Sequence, residues 1–169
     1  MSRILSGLVY TDTGITEYTS AGLTVKVVVD GTNSYSTTTN GSTGAWSLTA
    51  AVATSSILTI YVDNEPAFRA SVVTETLNSN DLAELNLYKD HLIVRSEKGT
   101  GVPITNTDLA TYDGGDDTDI QYTVTNGDLV QTAGQSLYIY KNTNYLPDGE
   151  VTVGKSLIAT STAVTSFST

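Results

Sequence analysis

Apolar and polar residues alternate with a period of two along most of this chain, the pattern of strands with one buried face. In "GLTVKVVVDG", Leu23, Val25, Val27 and Val29 share one face while Thr24, Lys26, Val28 and Asp30 share the other, so the first face is predicted to be core and the second solvated. The runs "WSLTA", "ILTIYVD", "LNLY", "HLIVR", "IQYTVT", "SLYIYK" and "EVTVGKSLIATS" read likewise as strands rich in Val, Ile, Thr and Tyr. Between them lie "DGTN", "NGSTG", "TNGD", "TAGQ" and "PDGE", turn material in which Gly and Asn supply positive φ. Asn126-Gly127, between "IQYTVT" and "DLVQT", predicts a two-residue type I′ hairpin. Helix is confined to two short candidates, "NSNDLAEL" near Asn78 and "TNTDLATY" near Thr105, each with a capping residue ahead of an Asp and a Leu. A polar break after "SVVTETL" puts a boundary at 76–84, dividing the chain into units 1–78 and 84–169. The expected fold is all-β: two small immunoglobulin-like β-sandwich units with at most one or two short helical turns.

In residues 4–75 the order is small-Gly-x-Val, Asp-x-Gly, Ala-Gly-x-x-Val, then Thr-Thr-Thr before Gly-x-Trp-Ser-Leu. This resembles the carboxypeptidase-regulatory-like and CnaB-like modules, immunoglobulin-type β-sandwiches that recur in tandem in large bacterial surface proteins. The resemblance implies a role in spacing, stiffness and presentation. Some CnaB-like domains carry an internal Lys to Asn or Asp isopeptide bond, for which Lys26 is the candidate; the alternation of its strand puts it opposite the core face, so no such bond is expected. Trp46 is expected to fill the core of the first sandwich. The stretch "ITNTDLATYDGGDDTDIQYTVTNGDL", covering 104–129, is weakly similar to cadherin-like repeats, in which an Asp-rich loop precedes a strand.

Composition narrows the function. Charged residues make up 15%, well below the roughly 25% of an average domain. A net charge of -10 excludes nucleic acid as a partner, because the phosphate backbone would be repelled. With Cys 0 there is neither a disulfide framework nor a thiolate nucleophile. "MSRILSGLVYTD" lacks the apolar region of a signal peptide, and no stretch is long and apolar enough for membrane insertion. With "STAVTSFST" ending in mid-pattern, the chain reads as a processed or excised segment of an extracellular or cell-surface protein.

Three groups of residues carry candidate chemistry. Asp113, Asp116, Asp117 and Asp119 form an acidic loop whose hard oxygens suit Ca²⁺, without the EF-hand pattern; the alternative is a solvated turn and no cofactor. Flanking glycines and the absence of an apolar wall argue against acid–base catalysis there, the lone His91 has no partner motif, and no nucleophile elbow occurs, so the chain is expected not to be an enzyme. Tyr138 and Tyr140 share a strand face and Tyr145 follows, a surface able to stack on a glycan or pack in an interface, or else serve as ordinary cross-strand partners. Finally, "RILSGLVY" places Ile4, Leu8 and Tyr10 on one strand face, suited to pairing with an open sheet edge of the next copy. The expected partners are therefore copies of the chain, head to tail, or neighbouring tandem modules, and the expected role is a structural subunit of a surface protein or filament; the alternative is an adhesin or carbohydrate-binding module.

Overall fold

The computed structural model describes residues 1–160 and 162–165. The elements in chain order are β1 (Ser2–Tyr10), β2 (Thr24–Val29), β3 (Asn33–Thr38), β4 (Ala45–Ala51), β5 (Ile57–Asp63), β6 (Ala70–Glu75), β7 (Leu87–Tyr88) and β8 (His91–Ser96). A 3-10 turn (Gly99–Gly101) and α1 (Asn106–Leu109) follow, then β9 (Tyr122–Thr125), β10 (Asp128–Gln131), β11 (Ser136–Ile139), β12 (Asn144–Tyr145), β13 (Val151–Thr152), β14 (Leu157–Ala159) and β15 (Val164–Thr165). The fold is all-β, as the alternation predicts, and among the described residues no helix is long and apolar enough to cross a membrane.

The backbone of the molecule is a seven-stranded sheet in the order β14-β11-β8-β6-β5-β2-β3. Its β3-β2-β5-β6 half is antiparallel, whereas β6, β8, β11 and β14 run parallel. On one face lies the sheet β4-β1-β7, and the space between holds the first core, with Leu5, Val9, Trp46, Val25, Val27, Leu58, Ile60 and Ile93 buried. The opposite face carries a second core of Val28, Tyr61, Val73, Leu92, Val94, Leu137 and Ile139, closed over by Ile104, Leu109, Tyr122, Leu129 and Tyr145. The central strands thus bury both faces, which a single-sided alternation cannot express.

The segment 76–84, expected as a break between units, is the crossover that parallel pairing of β6 with β8 requires. It is anchored by the buried Leu82, with the buried Leu85 just beyond it, and lies along β1, where Leu82 N donates to Ile4 O at 2.9 Å and Leu85 N to Ser6 O at 3.0 Å. Those bonds explain why "NSNDLAEL" is not helical: the edge of β1 takes backbone groups that a helix would have paired internally. The other helical expectation is met by α1, where Thr105 and Asp108 form a capping box. Asn126 (φ 55) and Gly127 (φ 88) make the expected left-handed turn between β9 and β10.

Candidate functional site

The acidic loop divides into two parts. Asp113 folds back on its own loop, its carboxylate accepting from Gly115 N at 2.7 Å and Val124 N at 2.6 Å, and Asp116 accepts from Asp113 N at 3.1 Å. These two residues shape the turn. Asp117 and Asp119 instead reach the central sheet and gather with Asp63, at the end of β5, so that one carboxylate oxygen of each lies within 4.8 Å of the others. The four aspartates therefore do not converge on one point, and Asp63 joins the group without any local signal in the sequence.

Two cations sit in the same group. Lys26 Nζ is 3.1 Å from Asp117 Oδ2 and 3.8 Å from Asp63 Oδ1, and Arg69 pairs with Asp119. The Tyr61 hydroxyl donates to Asp117 at 2.6 Å, and Asn64 N donates to Asp119 at 2.5 Å. Burial alone would raise the Asp117 carboxyl, but hydrogen bonds from Tyr61, the Asp119 amide and Lys26 outweigh it and hold it below the usual range. Burial likewise opposes charge on Lys26, and Asp117 and Asp63 more than compensate, raising it. Tyr61 is pushed far up by burial and by donating to Asp117, so it stays a neutral donor. Chemically the arrangement is a clamp that fastens the 111–121 loop to β2 and β5. Lys26 is not solvated as alternation predicts: the face of β2 opposite the first core is roofed by this loop, and its ammonium is ion-paired there.

The tyrosines also separate. Tyr145 is fully buried in the second core, its hydroxyl donating to Asn106 Oδ1, so it contributes nothing to a surface. Its place follows from β12, which turns its side chain inward beneath Ile104. Tyr138 and Tyr140 are half-buried against the first core. Tyr138 meets Tyr88 edge-on at 5.4 Å and His91 at 6.4 Å, Tyr10 meets Tyr88 at 5.7 Å, and Tyr140 has Arg95 and Lys141 over its ring at 5.1 and 5.4 Å. These rings join the β4-β1-β7 sheet to β8 and β11. His91 Nδ1 lies 2.6 Å from Lys89 O, a satisfied histidine.

β1 is the middle strand of its own sheet, paired with β4 on one side and β7 on the other. Its inward face is Arg3, Leu5 and Val9, the reverse of the face expected to be apolar: Ile4 is exposed, and Leu8 and Tyr10 are half-buried. Buried Arg3 donates to the carbonyls of Val52 and Ala53 at 3.1 and 2.7 Å, which is how a charged residue sits on the core side.

What sequence reading missed is a repeat. "TAGQSL" (132–137) recurs as "TVGKSL" (152–157). In the structure the Ser-Leu ends of the two segments are stacked in register: Leu137 pairs with Leu157, Tyr138 with Ile158 and Ile139 with Ala159, and Asn144 pairs with Val164, again 20 positions on, whereas Thr152 pairs with Val130, 22 positions back. β10 runs parallel to β13, and Ile104 bridges to Tyr145, so three strand columns rise together: β8, β11 and β14; Ile104, β12 and β15; β10 and β13. This is the geometry of a short parallel β-solenoid. Ser136 Oγ and Ser156 Oγ are 2.9 Å apart, and Leu137 N donates to Ser156 O at 2.9 Å. "EVTVGKSLIATS", expected as one strand, is two, because the coil turns a corner at Gly154, where a Cβ would sit 2.0 Å from Thr132 O. Asn106, fully buried, ties α1 to two levels of the stack through Gly127 O at 2.7 Å and Glu150 O at 3.2 Å. Searches against protein-family models, curated proteins and solved structures found no match to this chain.

Proposed function

We propose that the chain is a non-catalytic structural module of a bacterial extracellular surface protein or filament, in which the antiparallel half closes one end of a β-solenoid stack. The observation that carries this reading is the stacking of the Ser-Leu end of "TVGKSL" in register on that of "TAGQSL", whose strand β11 is itself seated on β8 of a sheet that the antiparallel strands complete. Solenoids expose a raw edge at each terminus and need a differently built cap, and here β6, β5, β2 and β3 cover the first level of the stack. The carboxylates support no hydrolytic role: Asp117 and Asp119 are held by Lys26 and Arg69, and Asp113 by backbone amides. The acidic, cysteine-free, Thr- and Tyr-rich composition suits a surface location. Antibody labelling of intact cells of the source organism tests it: labelling without permeabilisation is expected, and labelling only after permeabilisation would refute the surface role.

A glycan-binding role for Tyr138 and Tyr140 competes with this reading, favoured by the partial exposure of both rings and by the place of Tyr140 beside Glu84, Arg95 and Lys141. Against it, Tyr140 is already engaged by two cations and Tyr138 packs edge-on against its neighbours. A glycan array is expected to be blank; a hit abolished by Tyr138→Ala would replace the structural reading.

A further inference from the structure

The parallel stack has one covered end and one open end. At the covered end β8 is continued by β6; at the other, among the described residues, no strand lies beyond β14. The open end has lost cover in a graded way. Leu137 is 0% exposed, whereas its stacked counterpart Leu157 is 43% exposed; Leu129 is buried, whereas its counterpart Val151 is half-buried. Main-chain groups follow the same logic. Ser156 O and Thr160 N bond back to β11, at 2.9 Å from Leu137 N and 3.3 Å from Ile139 O, so strand alternation turns the amides of Leu157 and Ala159 outward from the free edge.

Resting on the structural-module reading above, we infer that the free edge of β14 is a docking surface for one further solenoid rung of the same build, a segment of the pattern Thr-x-Gly-x-Ser-Leu advancing 20 residues per level. The surface offered by the last level repeats the Ser-Leu part of the surface that the previous level offered to it, Ser136 and Leu137 becoming Ser156 and Leu157, and the sequence repeats Thr132 and Gly134 as Thr152 and Gly154. A following rung therefore finds a Leu to stack on, a Ser Oγ to extend the Ser136–Ser156 ladder, and a Thr152 carbonyl for its own glycine to approach as Gly154 approaches Thr132 O. The strand Leu157–Ala159 contains no Pro, charge or bulge, the devices by which edges are protected from pairing. The other end of the seven-stranded sheet, β3, belongs to the antiparallel half and lies outside the repeat, so the stack extends in one direction.

The test fuses a second copy of residues 150–169 directly after Thr169 of the full chain, which preserves the 20-residue step. The control inserts one extra residue at the junction, since a one-residue slip turns every side chain to the wrong face. Amide exchange at Leu157 and Ala159 is followed by NMR, with the melting temperature alongside. The in-step extension is expected to slow exchange at those two amides at least tenfold and to raise the melting temperature, while the slipped control does neither. Equal exchange in the extended protein and the slipped control with the fold intact would overturn the inference. Concentration-dependent protection of the same amides in the unextended chain would also overturn it, assigning the edge to a second copy. A glycan hit that defeats the structural reading would leave the exchange result untouched, so the two ideas fail separately.

Discussion

Asp117 ties the loop to the sheet through two different kinds of bond, a neutral phenol and an ammonium. Asp117→Ala removes the acceptor of the Tyr61 hydroxyl and leaves Lys26 with Asp63 alone at 3.8 Å, and is expected to cost about 2–4 kcal/mol in denaturant unfolding, whereas Tyr61→Phe should cost about 1 kcal/mol. The pH dependence follows from the shifts. Asp117 is depressed when folded, so its contribution is present above the unfolded carboxyl value of roughly 4 and is lost as pH falls through the folded value. Lys26 is raised, so its contribution is complete below roughly pH 10 and is lost as pH rises through its folded value. The clamp should therefore be at full strength between about pH 4 and 10, which a series of urea midpoints for Asp117→Ala against the parent would show. Lys26 and Arg69 already bring positive charge to Asp117 and Asp119. Millimolar Ca²⁺ is accordingly expected to leave the melting temperature unchanged, and a clear rise would show that the carboxylates exchange those partners for the ion.

Among the elements, β1 decides how the first core closes. Because Leu5 and Val9 are buried and both of its edges are paired, deleting residues 1–10 should abolish cooperative unfolding of the chain by circular dichroism; a deleted chain that stays folded would contradict this placement. The third column of elements turns on Gly154, where Gly154→Ala drives a methyl into Thr132 O and should cost about 2–3 kcal/mol. Gly134→Ala meets no atom within 4 Å and carries only the cost of its φ of 92°, so it is the milder comparison. Strand positions were readable because short apolar, β-branched runs are a local signal, as in β5 and β8, and the β9–β10 hairpin because Asn-Gly encodes its own turn. Partners were not, since parallel pairing leaves no turn between the strands it joins. The same limit misled the assignment of faces. β1 is apolar at both parities, with Ile4 and Leu8 against Leu5 and Val9, and a buried Arg3 masks the true inward set. On β2, Lys26 looks like a solvent marker, yet its partner Asp117 lies 91 residues away. The 20-residue repeat was legible in the letters themselves and was hidden by reading 150–161 as one strand.

On the scale of the whole molecule, the seven-stranded sheet joins the two halves of the chain, with β6 and β8 sharing six paired positions across the segment 76–84. Both cores draw on both halves, since Ile93 belongs to the first and Val28 to the second. Burial raises Tyr61, Tyr88, Tyr122 and Tyr145 above the ordinary phenol value, Tyr88 to about 12. Because the folded values are the higher ones, the stability these groups contribute is complete below about pH 10 and is lost as pH rises further, so in an alkaline titration their phenolate absorbance should appear together with unfolding. The central claim is that the C-terminal levels stack in register 20 residues apart, and the chain's lack of cysteine allows a direct measurement. In the double variant Ser136→Cys, Ser156→Cys, whose parent hydroxyls lie 2.9 Å apart, mild oxidation of the folded protein should form a disulfide nearly quantitatively. The off-register pair Ser136→Cys, Lys155→Cys should stay reduced under the same conditions; comparable cross-linking of the two pairs, or none in a folded Ser136→Cys, Ser156→Cys protein, would contradict the stacked solenoid.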